Sequence, residues 1–252
     1  MADSISMSAH LADRMANISS SGIRRIFELG AKLKNPIDLS IGQAHFDVPE
    51  PVKRTAIEAI EAGRNRYTVT QGIPELNAGI RDRIQRMHAF TPESTLVTSG
   101  VSGGLLLGFQ CLINPGDEVL VPDPYFTMYK VLVELCGGKM VCYDTYPDFG
   151  LDTERIRPLV TDRTKAILVN SPSNPTGIVY SRKQLEDLAA LAREHDLVVI
   201  SDEIYDMFVY DEPYSSVASC YEKTLLISGF TKAYGMPGWR VGFMCGNRDL
   251  VA

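Results

Sequence analysis

The sequence predicts an α/β fold, a mostly parallel sheet with helices on both faces. Two observations carry that prediction. Short apolar runs alternate with segments of helical periodicity, which is the pattern of successive strand–helix–strand units. Several of those runs, such as "AILV" at 166–169 and "LVVI" at 197–200, are apolar at every position and suit strands buried on both faces.

The first 35 or so residues are polar with one short helical stretch, and read as an arm rather than core. Apolar runs then place strands at Ile37–Ile41, Thr95–Thr98, Glu118–Val121, Lys139–Tyr143, Ala166–Asn170, Leu197–Ser201, Leu225–Ile227 and Arg240–Cys245. Helical patterns fall between them at Val52–Ala62, Pro74–Met87, Val101–Ile113, Tyr125–Leu135 and Ser181–His195. The last is the clearest. Leu185, Leu188, Ala189 and Ala192 make one apolar face, and Ser181 with Gln184 forms a capping box. "NPGDE", Asn114 to Glu118, is a turn from helix to strand. No internal repeat or low-complexity segment interrupts the pattern.

Composition excludes several functions. With 31 acidic and 25 basic residues the net charge is -6, and no basic run suggests a nucleic-acid surface. No apolar run approaches a membrane span, and the N-terminus carries acids without an apolar core, unlike a signal peptide. Five cysteines without a C-x-x-C pair are expected to be buried reduced thiols. The four histidines are not spaced with cysteine as a metal site needs. These features together indicate a soluble, cytoplasmic protein.

Ligands of parallel α/β sheets bind at the C-terminal ends of the strands, and unusual residues gather there. After "STLVT" comes Ser99-Gly100-Val101-Ser102-Gly103-Gly104, opening a helix; after "KAILVN" comes "SPSNPTG". "LVVIS" ends in Asp202-Glu203 with Tyr205 next, and "LLIS" runs into "GFTKAYGMPGWRVGF". Each feature has a bland reading: tight packing for the glycines, a solvated lysine for Lys232, a surface ion pair for Arg240. Together they say more. Free N–H groups at a helix start cradle an anion, and Arg240 suits a bidentate phosphate contact. Lys232 lies among Gly229, Gly235 and Gly238, on backbone that approaches a ligand closely. Asp202, at the end of an apolar strand, needs a cation from the protein or from a ligand. Pyridoxal phosphate matches all three features, with an aldehyde for the lysine, a phosphate for the loop and a pyridinium nitrogen for the carboxylate.

Six motifs in order now add a resemblance: "LSIGQAHFDVPEPV", "NRYTVTQGIPEL", "INPGDEVLVPDPYF", "SPSNPTG", "SDEIY" and "GFTKAYGMPGWRVG". From about Ile37 onward the chain resembles the fold-type I pyridoxal-phosphate aminotransferases, in the branch of the aspartate and alanine enzymes. The resemblance implies that residues 1–50 form an N-terminal arm and part of a small domain, and 51–252 the large cofactor domain. It implies that Lys232 forms the Schiff base and shuttles a proton, and that Asp202 holds the pyridine nitrogen. Tyr205 and Asn174 would bond the phenolic oxygen, and Phe126 would stack on the ring. Gly100, the Val101 and Ser102 amides, the Ser102 hydroxyl, Thr231 and Arg240 would form the phosphate site. Gly42, with Asn174, would lie beside the substrate, and Tyr67 would reach the cofactor of a second subunit, which implies a homodimer acting on amino acids and 2-oxo acids.

There are departures. Gly229 stands where some relatives use Ser to bind phosphate, so Ser228 or Thr231 is expected to compensate. Ala44 and His45 replace a common Pro and Asp, with His45 expected at the surface near the substrate mouth. Family members continue past "GNRDLVA" into a C-terminal small domain with the arginine that grips the substrate's α-carboxylate, and no residue here matches it. The resemblance thus implies a fragment that binds cofactor, turns over weakly or not at all, and exposes apolar surface. Two other readings stand beside it. One is a cofactor-fold module that binds or regulates without turnover. The other is an α/β hydrolase, because "GVSGG" fits the G-x-S-x-G elbow with Ser102 as nucleophile and His195 the one downstream histidine.

Overall fold

In the computed structural model, the described residues are 10–18, 29–30, 32–35, 37 and 42–251. The expected strand Ile37–Ile41 lies almost wholly outside them. The other seven expected strands form one sheet: β1 (Ser94–Ser99), β2 (Glu118–Asp123), β3 (Lys139–Asp144), β4 (Thr164–Asn170), β5 (Val198–Asp202), β6 (Thr224–Gly229) and β7 (Val241–Gly246). Their order is β1-β7-β6-β5-β4-β2-β3. β7 runs antiparallel to both its neighbours, and the remaining pairs are parallel. The start of β7 therefore stands at the same sheet edge as the C-terminal ends of the others.

Five helices longer than two turns accompany the sheet among the described residues: α1 (Glu50–Glu61), α2 (Pro74–His88), α3 (Gly100–Leu112), α4 (Met128–Leu135) and α5 (Arg182–Glu194). Strand residues alternate between two cores, as the pleat requires. Val119, Val121, Leu168, Ile200, Leu225 and Ile227 pack against Leu105 and Phe109 of α3 and Leu132 and Val133 of α4. On the other face Leu120, Ile167, Val169 and Val199 meet Leu185, Leu188 and Ala192 of α5. Leu226, Phe243 and Cys245 meet Ile80 and Ile84 of α2. The fully buried central strands explain the uninterrupted apolar runs. The Ser181–Gln184 capping box closes as expected, with both reciprocal bonds made.

Three expectations need correction. The helix expected from Tyr125 starts at Met128, because residues 124–127 turn at the sheet edge and carry Phe126 to the site instead of completing a helical turn. β7 starts at Val241 because Arg240 has left-handed backbone, φ 55°. All five cysteines are free thiols, but Cys245 alone is buried; Cys111 on α3 and Cys142 on the edge strand β3 are exposed.

Phe109 is fully buried beneath the sheet. Phe109→Ala should lower stability by about 3–5 kcal/mol, whereas Ser181→Ala, which removes one helix cap, should cost about 1 kcal/mol. Urea unfolding of both variants measures the difference.

Candidate active site

The site assembles from the ends of β1, β4, β5 and β6 and the start of β7. At the β1–α3 junction Gly100 has φ +68°, and a Cβ there would fall 2.4 Å from Arg240 Nη2. Only glycine fits both the backbone and the guanidinium. On β7, a Cβ at Gly242 would lie 2.5 Å from the Gly100 carbonyl carbon, so a bare backbone lets β7 pass close under the start of α3. Ser99, at the N-cap, makes no side-chain capping bond. The first-turn N–H groups are thus left for a ligand, with the positive end of the helix dipole behind them. Arg240 Nη1 donates to the Pro237 carbonyl at 3.1 Å, which holds the guanidinium over this cradle.

At the end of β5, Asp202 is 3% exposed. Its Oδ2 accepts from the Tyr129 hydroxyl at 2.8 Å and its Oδ1 from the Ile204 N–H at 3.2 Å. Among the described residues no cationic side chain forms an ion pair with it; Lys232 acts on it through space. Burial pushes its pKa up to about 6, with the Glu203 charge adding, against the opposing pull of Tyr129, Ile204 N–H and Lys232. A buried carboxylate with only neutral donors is suited to a cationic ligand.

Lys232, after β6, is half-buried. Its Nζ donates to the Gly42 carbonyl at 2.9 Å and lies 5.8 Å from the Tyr205 ring centre. Burial lowers its pKa below 10.5, and Asp202 opposes this in part. The Tyr205 hydroxyl is raised by burial and by Asp202, with the neighbouring Asn174 amide pulling it back. Asn174 is placed by Asn170 at the end of β4. Asn170 Oδ1 accepts from the Asn174 N–H at 2.6 Å, and its Nδ2 donates to the Asp202 carbonyl at 2.9 Å.

Val101, Ser102, Phe126, Asn174, Asp202, Tyr205, Thr231, Lys232 and Arg240 line one cavity of about 190 Å³, with Gly100 beneath its anion end. Gly42 lines an adjoining cavity of about 650 Å³ that shares Asn174, Tyr205 and Lys232; exposed His45 stands on its wall. Tyr67 is fully exposed and lines neither cavity. Of the two residues expected to compensate for Gly229, Thr231 lines the cavity, whereas the Ser228 hydroxyl is buried and donates to the Glu203 carbonyl. Sequence reasoning missed Tyr129 and Asn170. Asn170 carried a signal, as the one polar residue ending an apolar strand beside Asp202, its register partner. Among the described residues no histidine lines the cavity with Ser102. His195 caps the C-terminus of α5 before β5, at the opposite sheet edge, and the hydrolase reading gains no support.

An anion cradle, a half-buried amine and a buried carboxylate meet at the strand ends of this mixed sheet, on the fold of the pyridoxal-phosphate-dependent transferases. Residues 34–252 match the family model for aminotransferase class I and II, and the chain belongs to that family. It is 39% identical to an aspartate aminotransferase of Pyrococcus abyssi over 93% of this chain and 62% of that protein. It is 42% identical to an aspartate/prephenate aminotransferase of Thermus thermophilus over 85% of this chain and 57% of that protein. Among solved structures, Thermus thermophilus aspartate aminotransferase with maleate superposes with a TM-score of 0.91 at 38% identity, covering 95% of this chain and 65% of that one. The chain thus spans less than two thirds of these relatives' length.

The raised pKa of Asp202 has a testable sign. Its folded value of about 6 lies above the usual 3.8, so the ionised carboxylate opposes folding above pH 6 and the penalty is absent below pH 3.8. Asp202→Asn should stabilise the ligand-free chain at pH 7.5 by up to about 3 kcal/mol. The gain should fade as pH drops through 6 towards 4, as read from urea midpoints across that range.

Proposed function

We propose that this chain is the cofactor-binding part of a pyridoxal-phosphate-dependent aminotransferase, with Lys232 holding the cofactor's aldehyde as a Schiff base. The observation that carries the reading is the single cavity in which Asp202, without an ion-paired cation among the described residues, faces an anion cradle with Lys232 close by. Gly100, the Val101 and Ser102 amides, the Ser102 hydroxyl, Thr231 and Arg240 would bind the phosphate. Asp202 would keep the pyridine nitrogen protonated, and Asn174 and Tyr205 would donate to the phenolic oxygen. Phe126 would cover the ring. Bound there, the cofactor supplies an aldehyde carbon that receives the amino group and a ring that takes up electron density from the substrate's Cα.

The lowered pKa of Lys232 favours its neutral amine, the form that attacks an aldehyde. Displaced from the aldehyde carbon by the substrate's own amino group, the freed Lys232 amine would move the proton between the substrate's Cα and the cofactor's C4′. Gly42, whose carbonyl already receives Lys232, borders the substrate side together with Asn174. Tyr67, exposed and away from this cavity, is assigned to the phosphate of a second copy, which makes the working form a homodimer. Unpaired thiols suit a reducing cytoplasm. Aspartate is the first donor to try, with a 2-oxo acid as acceptor, because the relatives above are aspartate aminotransferases.

Incubation with pyridoxal phosphate should produce a near-visible absorbance band that borohydride fixes to the protein and that Lys232→Ala lacks. Absence of the band, or its persistence in Lys232→Ala, would overturn the assignment. A lysine-dependent band with no amino-group exchange on any amino acid would fit a binding module as well as the cofactor-binding part of an aminotransferase assayed alone.

A further inference from the structure

A second buried polar cluster lies behind the cavity, and the chemistry above leaves it unused. Along the segment after β5, Asp202 and Tyr205 face the cavity, while Glu203 and Asp206 enter the protein beside the end of α2. Arg83 Nη2 donates to both Asp206 carboxylate oxygens at 2.8 Å. His88 Nε2 is hydrogen-bonded to Asp206 Oδ2 at 3.0 Å, and its Nδ1 is 2.7 Å from Glu203 Oε2, a charge contact without hydrogen-bond angles. Glu203 Oε1 accepts from the Ser201 hydroxyl at 2.7 Å and the Ser216 hydroxyl at 2.6 Å. Glu203 is 0% exposed, His88 2%, Asp206 3% and Arg83 8%.

Four ionisable groups taken out of water are a poor source of stability, since well-packed apolar residues often do as well. What such a cluster can do is fix a register. Its two carboxylates are interleaved in sequence with Asp202, Ile204 and Tyr205, which line the cofactor cavity, so holding the carboxylates holds the cavity-facing residues. The backbone is tied in the same way: the Glu203 N–H donates to the Ile227 carbonyl and the Ser228 hydroxyl to the Glu203 carbonyl.

We infer that Arg83 and His88 on α2, gripping Asp206 and Glu203, form a positioning clamp that sets where Asp202 and Tyr205 stand in the cavity. With His88 protonated, two cations face two anions and the cluster is neutral. The carboxylates raise the His88 pKa to about 9 against the cost of burial, which keeps that balance at neutral pH. The cavity-facing role of Asp202 and Tyr205 rests on the function proposed above; the clamp's grip on the segment does not.

The test compares His88→Ala with Leu188→Ala, a fully buried deletion in α5 that lies in a different core cluster. Should His88→Ala fail to fold, His88→Gln keeps a donor between the carboxylates and replaces it. Hydrogen exchange is followed in the ligand-free 252-residue chain. At matched global stability, residues 202–208 should exchange about tenfold faster in the His88 variant than in Leu188→Ala, with α3, which packs in a third cluster, alike in both. The dissociation constant for pyridoxal phosphate should rise about tenfold in the His88 variant alone. Equal exchange of 202–208 in the two variants would overturn the clamp. Failure of the unsubstituted chain to bind the cofactor would overturn the proposed function, and exchange would still decide the clamp.

Discussion

The carboxylate of Asp202 is the constraint on which the site depends. It sits at the end of a central strand, buried under neutral donors only, in a place where an ionised acid is costly. The Tyr129 hydroxyl and the Ile204 N–H stand in for part of the lost water. They do not supply a countercharge, and among the described residues only the through-space pull of Lys232 offsets the buried charge in part, which leaves an electrostatic need beside the cavity. A cationic ligand atom would meet that need, and a core is more easily built without it. Trading stability for binding in this way is common at functional sites.

The second constraint is steric. The anion end of the cavity requires the start of α3, the guanidinium of Arg240 and the first residues of β7 to share very little space. The fold meets this with the one antiparallel strand of the sheet, which begins at the ligand edge, and with bare backbone where β7 passes α3. Thus β7 contributes an arginine to an edge that the parallel strands reach with their C-terminal ends. The charged groups at the two ends of the cavity are then held by backbone geometry, with Lys232 on the connection between β6 and β7.

Much of this was legible in the sequence, for physical reasons that differ by element. Strands buried on both faces have no polar face to alternate with, so β4 and β5 stood out as apolar runs, and their loops could be searched for chemistry. Lys232, Asp202 and Arg240 were visible because each breaks an apolar or glycine-rich context. Tyr129 was not, because a tyrosine on a helix packed against the sheet reads as core until its hydroxyl is seen to reach Asp202. The start of α4 was misplaced because residues 124–127 turn in service of the site and leave no helical-periodicity signal. The cluster of Arg83, His88, Glu203 and Asp206 was invisible for another reason. Its two pairs, Arg83 with His88 and Glu203 with Asp206, lie more than a hundred residues apart, and only the packing of α2 on the sheet brings them together.

The most direct measurement is the titration of the Asp202 carboxylate itself, by carbon NMR of chain labelled at the aspartate carboxyls, with Asp202→Asn to assign the signal. In the ligand-free chain the carboxylate should titrate near pH 6. On loading with pyridoxal phosphate the carboxylate should remain ionised well below that pH, because the ligand's cation has arrived beside it. An ordinary carboxylate titration in the ligand-free chain, or no change on loading, would contradict this reading of Asp202.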